Sequence, residues 1–590
     1  MTYAPQACEP DFLLFDVLRA DRTLQGCDRF ADMDRDVMRQ VLQAAATWVG
    51  EVVAPLSRSG DEAGCTWADG QVTTPAGFKA AYQAFCADGW PSLSCDPAHG
   101  GQGLPKVLES VVYEWLWGAN HAWTMSPGLL HGAYECLRAH ASAPLQAQFL
   151  PQLASGESLA TMCLTEPHAG SDLGLVRTQA TPEGEHAWGT LYRISGSKIF
   201  ITGGEHDWTD NILHLVLARL PHAPAGPKGL SLFLVPKRWD DGTGATCLNG
   251  VVCDRIEEKM GLHGSPTCSL HFEGARGWLI GAEHAGLQAM FVMMNAARLN
   301  VALQGIGLLD AAWQKAHAYA LERRQMRVAG TPPASRGPHD AADLLVEHPA
   351  LRRILDEQRA WIDGGRLLAY QTALQLDLAD SAASAGERAA AQQWCAFITP
   401  VLKAVWTQQA FDGASQCLQV LGGHGYVREW GIEQIVRDAR VSMIYEGTNE
   451  IQAIDLLTRK ILPDQGQAFF QWLLSLRSHL DAGKALDADV LHQLAELRYF
   501  TLLLVQGCQQ DAQLALRTAD DFLRAVAVVL MGWAWARIAS HTPADDPRWQ
   551  GPCKLLQTRI LPEFAWRLQL MKLQWQHASL ASPLAASAPA

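Results

Sequence analysis

The sequence predicts a mainly α protein with a β-domain at its centre. Apolar residues recur at three- and four-residue spacing from about 33 to 153 and again from about 287 onward, as on helix faces. Between 161 and 286 the texture changes to short runs of branched residues separated by turns, as in strands. A length of 590 residues, at roughly 100–200 per domain, requires three or four domains. The expected organisation is an N-terminal helical domain (1–160), a central antiparallel, barrel-like β-domain (161–286), a four-helix bundle (287–462), a C-terminal helical extension (463–581) and a disordered tail (582–590).

In the first domain Val37, Val41, Ala44 and Trp48 fall on one predicted helix face, and a second helix is expected over 110–121, after DPAHGGQGLP. The runs YRIS, KIFIT, ILHLVLA, LSLFLV and TCSLHF have no long helices between them, which disfavours a βαβ sheet. Turns are expected at Gly203-Gly204, DDGTG and HGSP. Bundle helices are expected over 293–327, 356–378, 391–421 and 449–462, with 328–343 an exposed loop. In the extension, Phe469, Trp472, Leu473 and Leu476 form one apolar stripe and Val526, Val529, Leu530 and Trp533 another. Stripes of this kind must be covered, so the extension is expected to fold back on the bundle. The apolar run 525–536 is 12 residues long, short of the about 20 that span a bilayer, and reads as a buried core helix rather than a transmembrane segment.

Composition narrows the function. Lys+Arg is 47 and Asp+Glu is 61, a net charge of −14 that disfavours nucleic acid as a partner. The 14 cysteines include no CxxC pair, and there is no HExxH, so no metal site is expected. Scattered cysteines read as reduced, buried thiols, and the start MTYAPQACEPDF has neither signal-peptide nor transit-peptide character; a cytoplasmic location is expected. No GxGxxG follows a strand, and GxxxxGKS/T and GxSxG are missing.

Four segments carry candidate chemistry, and each admits two readings. The small-residue turn of MCLTEPHAGSDLG (162–174) can present N–H groups and hydroxyls to a phosphate or a polar ring edge, or it can simply connect into the β-domain. In KIFITGG (198–204), Phe200 and Thr202 sit two apart on a strand, able to press and hydrogen-bond a ring system, or to fill a core. In QVLGGHGY (419–426), Gly422 suits a helix C-terminus; three glycines in four residues also suit close approach of a cofactor. In IYEGTNEIQ (444–452), Asn449 and Gln452 resemble a capping box. Glu446, beside apolar neighbours, is either a general base or a solvated turn residue.

Taken in order, TEPHAGSD, KIFITGG, ALERRQ, LQVLGGHGY and RDARVSMIYEGTNEIQ resemble the acyl-CoA dehydrogenase family over about residues 35–460. The resemblance implies that family's three-domain fold with FAD and acyl-CoA bound, and the extension points to its long forms. EKMGLHGSPTCSL, MFVMMNAARLNVALQGIG and HPALRRILDEQRAWIDGGRLLAY are similar to the branch acting on 3-methylmercaptopropionyl-CoA. Carried over by position, the resemblance makes Glu446 the catalytic base. It makes Met162, Leu164, Thr165, Gly170, Ser171, Phe200, Thr202, Thr448 and Glu450 flavin contacts. Arg323, Gln325, Gln419, Gly422 and Gly423 would reach the FAD of a neighbouring subunit, with Gln325 replacing the usual Thr. Ser171, Arg298 and Gly447 would lie at the substrate, and Ala297 leaves Glu446 without the rival base some relatives have.

The expected reaction is FAD-dependent α,β-dehydrogenation of an acyl-CoA to a trans-2-enoyl-CoA. The expected substrate is 3-(methylthio)propanoyl-CoA or a medium- or long-chain fatty acyl-CoA. An electron-transfer flavoprotein is the expected acceptor, and the expected assembly is a homodimer. An acyl-CoA oxidase using O2 is the alternative, because such oxidases share the fold and carry extra C-terminal helices. A DNA-associated flavoprotein ranks below it, since the extension has no Lys/Arg run.

Overall fold

The computed structural model describes residues 2–240, 246–330, 342–543 and 546–576. The expected tail at 582–590, most of the DDGTG turn and residues 331–341 of the expected loop lie outside the described residues. The chain forms two compact units: Met1–Ala7, Asp36–Ala311 and Tyr426–Val441 make one, and Cys8–Arg35, Ala312–Gly425 and Ser442–Ala590 the other.

The first unit begins with helices α1 (Arg35–Trp48), α2 (Phe78–Ala87), α3 (Lys106–Ala119), α4 (Leu130–His140) and α5 (Ala143–Ser155). In α1 the buried face is Met38, Leu42 and Ala45, with Ala44 exposed. The expected stripe was therefore rotated by one residue, because the apolar run is wide enough to contain two stripes 100° apart. A small hairpin, Thr66–Ala68 paired with Gln71–Thr73, was not anticipated.

The β-domain comprises β1 (Ser158–Cys163), β2 (Gln179–His186), β3 (Gly189–Thr202), β4 (Asn211–Arg219), β5 (Leu230–Pro236), β6 (Val251–Ile256) and β7 (Thr267–Ile280). Strand β7 pairs with β3 and β5, β3 with β2, and β5 with β4, while β2 meets β4 at Gln179↔Arg219. The pairings close on themselves, a barrel with Ile194, Ile201, Val216, Phe233, Leu270 and Phe272 inside. The sheet is not wholly antiparallel: β1 runs parallel to β4 over Ser158–Cys163, and β2 meets β4 in parallel. Strand β1 arrives from α5 rather than through a hairpin, so no tight turn dictates its direction.

Helix α6 (Gly286–Glu322) runs from the first unit into the second. The second unit adds α7 (Pro349–Ser381) and α8 (Ala385–Val420). The expected bundle helices all form, but start or end several residues from their sequence-read limits. Ser384, whose side chain accepts from Glu387 N while Glu387 reaches back, starts α8 six residues before the expected 391. Gly365 of α7 lets α8 approach closely: a Cβ there would lie 1.9 Å from Trp406 Nε1, which donates to Trp361 O at 3.0 Å. In the first unit, α9 (Ile432–Ala439) is pinned by Asp438, which accepts from Leu262 N at 2.6 Å, and by Arg437, which pairs with Asp61. In the second unit, α10 (Asn449–Ile454) continues as a π-turn to Ile461.

The extension supplies α11 (Gln467–Arg477), α12 (Ala485–Gln510), α13 (Ala512–His541) and α14 (Glu563–Gln576). Both apolar stripes are buried, as expected. Trp472 meets Trp394 of α8 edge-on and Trp533 meets it at a tilt, and Trp535 Nε1 donates to Ala360 O of α7 at 3.0 Å. Helix α13 is long and apolar enough to cross a membrane, yet 83% of its apolar window is buried in the protein's own core. Residues 8–35 join this unit too, through Glu9–Arg359 at 3.0 Å and Val17 O, which accepts from Arg537 at 3.0 Å.

Candidate active site

In the first unit lie the candidates of the loop after β1 and of the end of β3. Residues Ile199 and Phe200 face only Ser269 across the ladder, because Lys198 pairs with Leu270 and Ile201 with Cys268. This bulge puts Phe200 in the left-handed region, φ 61°, and turns its ring outward, where it is 60% exposed. Period-two alternation alone does not place Phe200; the bulge does. Ile199 N bonds to Thr165 O at 2.9 Å, tying the strand to the loop after β1.

That loop is anchored from beneath. Glu166 accepts from Arg177 N (2.7 Å), Thr178 N (3.0 Å), Thr178 Oγ1 (2.6 Å) and Lys198 Nζ (2.9 Å). Lys198 also donates to Leu164 O at 2.9 Å. Burial pushes the Glu166 carboxyl up, but Lys198 and the hydrogen bonds more than offset this and hold it below its ordinary value. Burial pulls the Lys198 ammonium below its ordinary value, against the upward pull of Glu166. Above this pair, Met162, Leu164, Thr165 and Thr202 are half-buried, and Gly170 and Ser171 are exposed. Arg298 is buried on α6, its Nη1 3.5 Å from Asn295 Oδ1, and Ala297 beside it carries no base.

The second unit holds the remaining candidates. Gly422, φ 59°, follows the end of α8, as the expected helix terminus requires. A Cβ at Gly422 or Gly423 would meet nothing within 4 Å, so these glycines are open to a visitor rather than packed. His424 Nδ1 lies 2.9 Å from Tyr319 Oη, tying the glycine segment to the end of α6 where Arg323 and Gln325 are exposed; Gln419 is exposed as well.

Glu446 is half-buried with φ 56°, and Gly447 follows with φ 84°. The helix cap differs from expectation: Thr448, not Asn449, is the N-cap, its Oγ1 accepting from Ile451 N. The Asn449 side chain is used elsewhere, accepting from Lys403 Nζ and Thr407 Oγ1 and donating to Ala404 O. Gln452 donates to Glu446 O at 3.1 Å and to Gly447 O at 3.3 Å. Glu450 is exposed. Local pattern assigns no role to Lys403, Lys198 or Glu166, and gives Gln452 only a place in a capping box with Asn449, whereas its side chain holds the carbonyls of Glu446 and Gly447. For Lys403 the signal was a lysine inside the otherwise apolar PVLKAVW of a core helix.

The donor set fits FAD. An outward aromatic face, hydroxyls at Thr165, Ser171 and Thr202, and open space at Gly170 suit a planar ring with polar edges. Uncovered Gly422 and Gly423, the first with left-handed backbone, suit a polar, extended ligand.

Family models described as acyl-CoA dehydrogenase N-terminal, middle and C-terminal domains match residues 36–157, 161–275 and 284–461. The 3-methylmercaptopropionyl-CoA dehydrogenase of Ruegeria pomeroyi is 38% identical over 545 residues, 91% of each chain. A broad-specificity linear acyl-CoA dehydrogenase of Mycobacterium tuberculosis is 33% identical over 553 residues, covering 90% of this chain and 88% of the relative. Among solved structures, Caenorhabditis elegans ACDH-11 in complex with C11-CoA is 20% identical with a TM-score of 0.76, covering 99% of this chain and 97% of the other. A Bacillus anthracis acyl-CoA dehydrogenase complexed with FAD is 19% identical with a TM-score of 0.71, covering 96% and 94%. At these identities the two structures speak for the fold.

Proposed function

Because the chain belongs to the acyl-CoA dehydrogenase family, an oxidoreductase family whose cofactor is FAD, we propose that it converts an acyl-CoA thioester to the trans-2-enoyl-CoA with Glu446 as the base. The observation that carries the reading is a carboxylate on a left-handed residue, followed by left-handed Gly447 and a capped helix, so that the base stands at a fixed turn. The α-proton of a thioester is weakly acidic. The Glu446 N–H donates to the thioester carbonyl, where charge builds as the proton leaves. The Glu446 carboxylate takes that proton. Phe200, Thr165, Ser171 and Thr202 would hold the flavin, Phe200 through its exposed ring and the others through their hydroxyls, and Arg298 would support the charge near the centre. FAD, when bound, accepts the hydride of the β-carbon.

For the acyl group we propose 3-(methylthio)propanoyl-CoA, supported by the 38% identical relative's name; straight-chain acyl-CoAs are the second reading, supported by the 33% identical one. The acceptor is an electron-transfer flavoprotein rather than O2, and the enzyme is a cytoplasmic homodimer. The extension would cover α7 and α8 in place of a further subunit pair, while the exposed Arg323, Gln325, Gln419, Gly422 and Gly423 would hold the FAD of a partner subunit. Glu446→Gln keeps size and deletes the base; it should hold FAD yet slow flavin bleaching by acyl-CoA about 10²–10⁴-fold. Bleaching at the wild-type rate removes the assignment. Peroxide formed in step with turnover would make the enzyme an oxidase. Light scattering at micromolar concentration should give a dimer, and a tetramer would refute that part.

A further inference from the structure

We propose that Lys403 is a positioning residue whose buried ammonium holds the left-handed Glu446–Gly447 turn in its working conformation; this rests on Glu446 being the base. Lys403 lies in the middle of α8 with no exposed surface. Its Nζ donates to Gly447 O at 2.7 Å and to Asn449 Oδ1 at 3.1 Å. Asn449 is fixed in turn by Thr407 Oγ1 at 3.1 Å and by its own donation to Ala404 O at 3.0 Å. From the other side Gln452 Nε2 reaches both Glu446 O and Gly447 O. The two carbonyls that follow the base are thus gripped by side chains from two different helices.

The grip has a physical motive. A left-handed glutamate is unfavourable in isolation and persists only where its surroundings over-determine it. The Gly447 carbonyl precedes the N-cap of α10, so it takes no part in that helix's own ladder. An ammonium in a helix core is costly to desolvate, whereas leucine or methionine would fill the space without that cost. Lysine here is therefore kept for what it binds, and what it binds is the peptide after the base. Without it the Gly447 carbonyl loses its shorter, charged bond and keeps the longer one from Gln452, so the peptide between 447 and 448 is held more loosely. The Glu446 carboxylate and N–H then both move, and a misplacement of about 1 Å can cost about 10²-fold in rate.

The test compares wild type with Lys403→Met and Lys403→Arg, all as FAD-loaded full-length enzyme. Two readouts are taken: the rate of flavin bleaching by saturating acyl-CoA with its KM, and the long-wavelength charge-transfer band formed with 3-thiabutanoyl-CoA. That thioester gives up its α-proton to the base but has no β-carbon hydride to lose. Lys403→Met should keep FAD and hold KM within about threefold while bleaching falls about 10- to 100-fold. The charge-transfer band should weaken in parallel. Lys403→Arg, which keeps a charged donor, should recover part of both. A Lys403→Met enzyme that bleaches within twofold of wild type, or one whose lost rate only tracks lost FAD, overturns the proposal. If Lys403→Met does not fold, Asn449→Ala is read in the same way: a folded, FAD-loaded variant with wild-type rate and band overturns it, and a slower one with a weaker band supports it. Wild-type enzyme that no acyl-CoA bleaches would instead sink the dehydrogenase reading.

Discussion

Glu166→Gln separates a structural from a decorative reading of the buried pair beneath the flavin loop. The carboxylate accepts four hydrogen bonds, one of them from an ammonium with no exposed side-chain surface. Glutamine keeps the volume, cancels the charge and turns one acceptor into a donor that meets other donors. Removing one partner of a buried ion pair costs about 3–5 kcal/mol, because the other charge stays buried. Loss of two charge-assisted hydrogen bonds, at about 1.5–3 kcal/mol each, gives a similar figure. For the roughly 300 residues of the first unit, at about 2.1 cal/mol/K of unfolding entropy per residue, 1 kcal/mol moves the midpoint about 1.6 °C, so the first-unit transition should fall by about 5–8 °C. The assay is the rise in FAD fluorescence on heating, which reports loss of the pocket rather than of the whole chain. Adding Lys198→Met to Glu166→Gln should recover part of the loss, since it removes the unpaired buried ammonium while the amide oxygen still accepts from Thr178 N. A single Glu166→Gln variant that releases FAD within about 2 °C of wild type would refute the reasoning.

Two further outcomes follow from packing and charge. Gly365→Ala gains about 1 kcal/mol of helix propensity but drives a methyl into Trp406, where overpacking costs about 1–3 kcal/mol or more and the Trp406–Trp361 bond is also at risk; a variant that melts no lower than wild type would show that α7 and α8 can separate freely. Asp438 is pushed up to about 7 by burial, above its unfolded value, so its contribution is full below about pH 4 and is lost as pH rises through about 7. Asp438→Asn should therefore flatten the fall in melting temperature between pH 5 and 8, and parallel curves for the two proteins would contradict this.

Periodicity located the helices and strands but not their faces or junctions. In α1 the apolar run contained two candidate stripes, and only the packing of Met38, Leu42 and Ala45 selects one. The β-domain was legible in its branched runs, whereas the parallel pairing of β1 with β4 was not, since strand direction depends on where the chain enters. At the site, motif order placed Glu446, Phe200 and the glycines. The geometry that makes them useful came from long-range partners: a bulge opposite Ser269 for Phe200, and Lys403, some 40 residues upstream, for the turn at Glu446. Thr448 took the cap expected of Asn449 because the Asn449 side chain is engaged by α8, a competition invisible to local rules.

The burial of α13 against α7 and α8 bears on how the chain is made. The second unit is closed by segments far apart in sequence: Arg537 bonds to Val17 O across 520 residues, and Arg359 pairs with Glu9. A ribosome delivers residues 8–35 long before 512–541, so from the completion of α8 at Val420 until α13 emerges the flanks of α7 and α8 lack its cover. The barrel of the first unit, whose strands all fall between 158 and 280, is complete much earlier. Maturation is then staged, with an early-folding half waiting on a half that snaps shut only after the last long helix emerges. In that interval the nascent chain is at its most sticky, and a stop codon anywhere between the bundle and residue 541 would produce a protein that chaperones must hold and proteases remove.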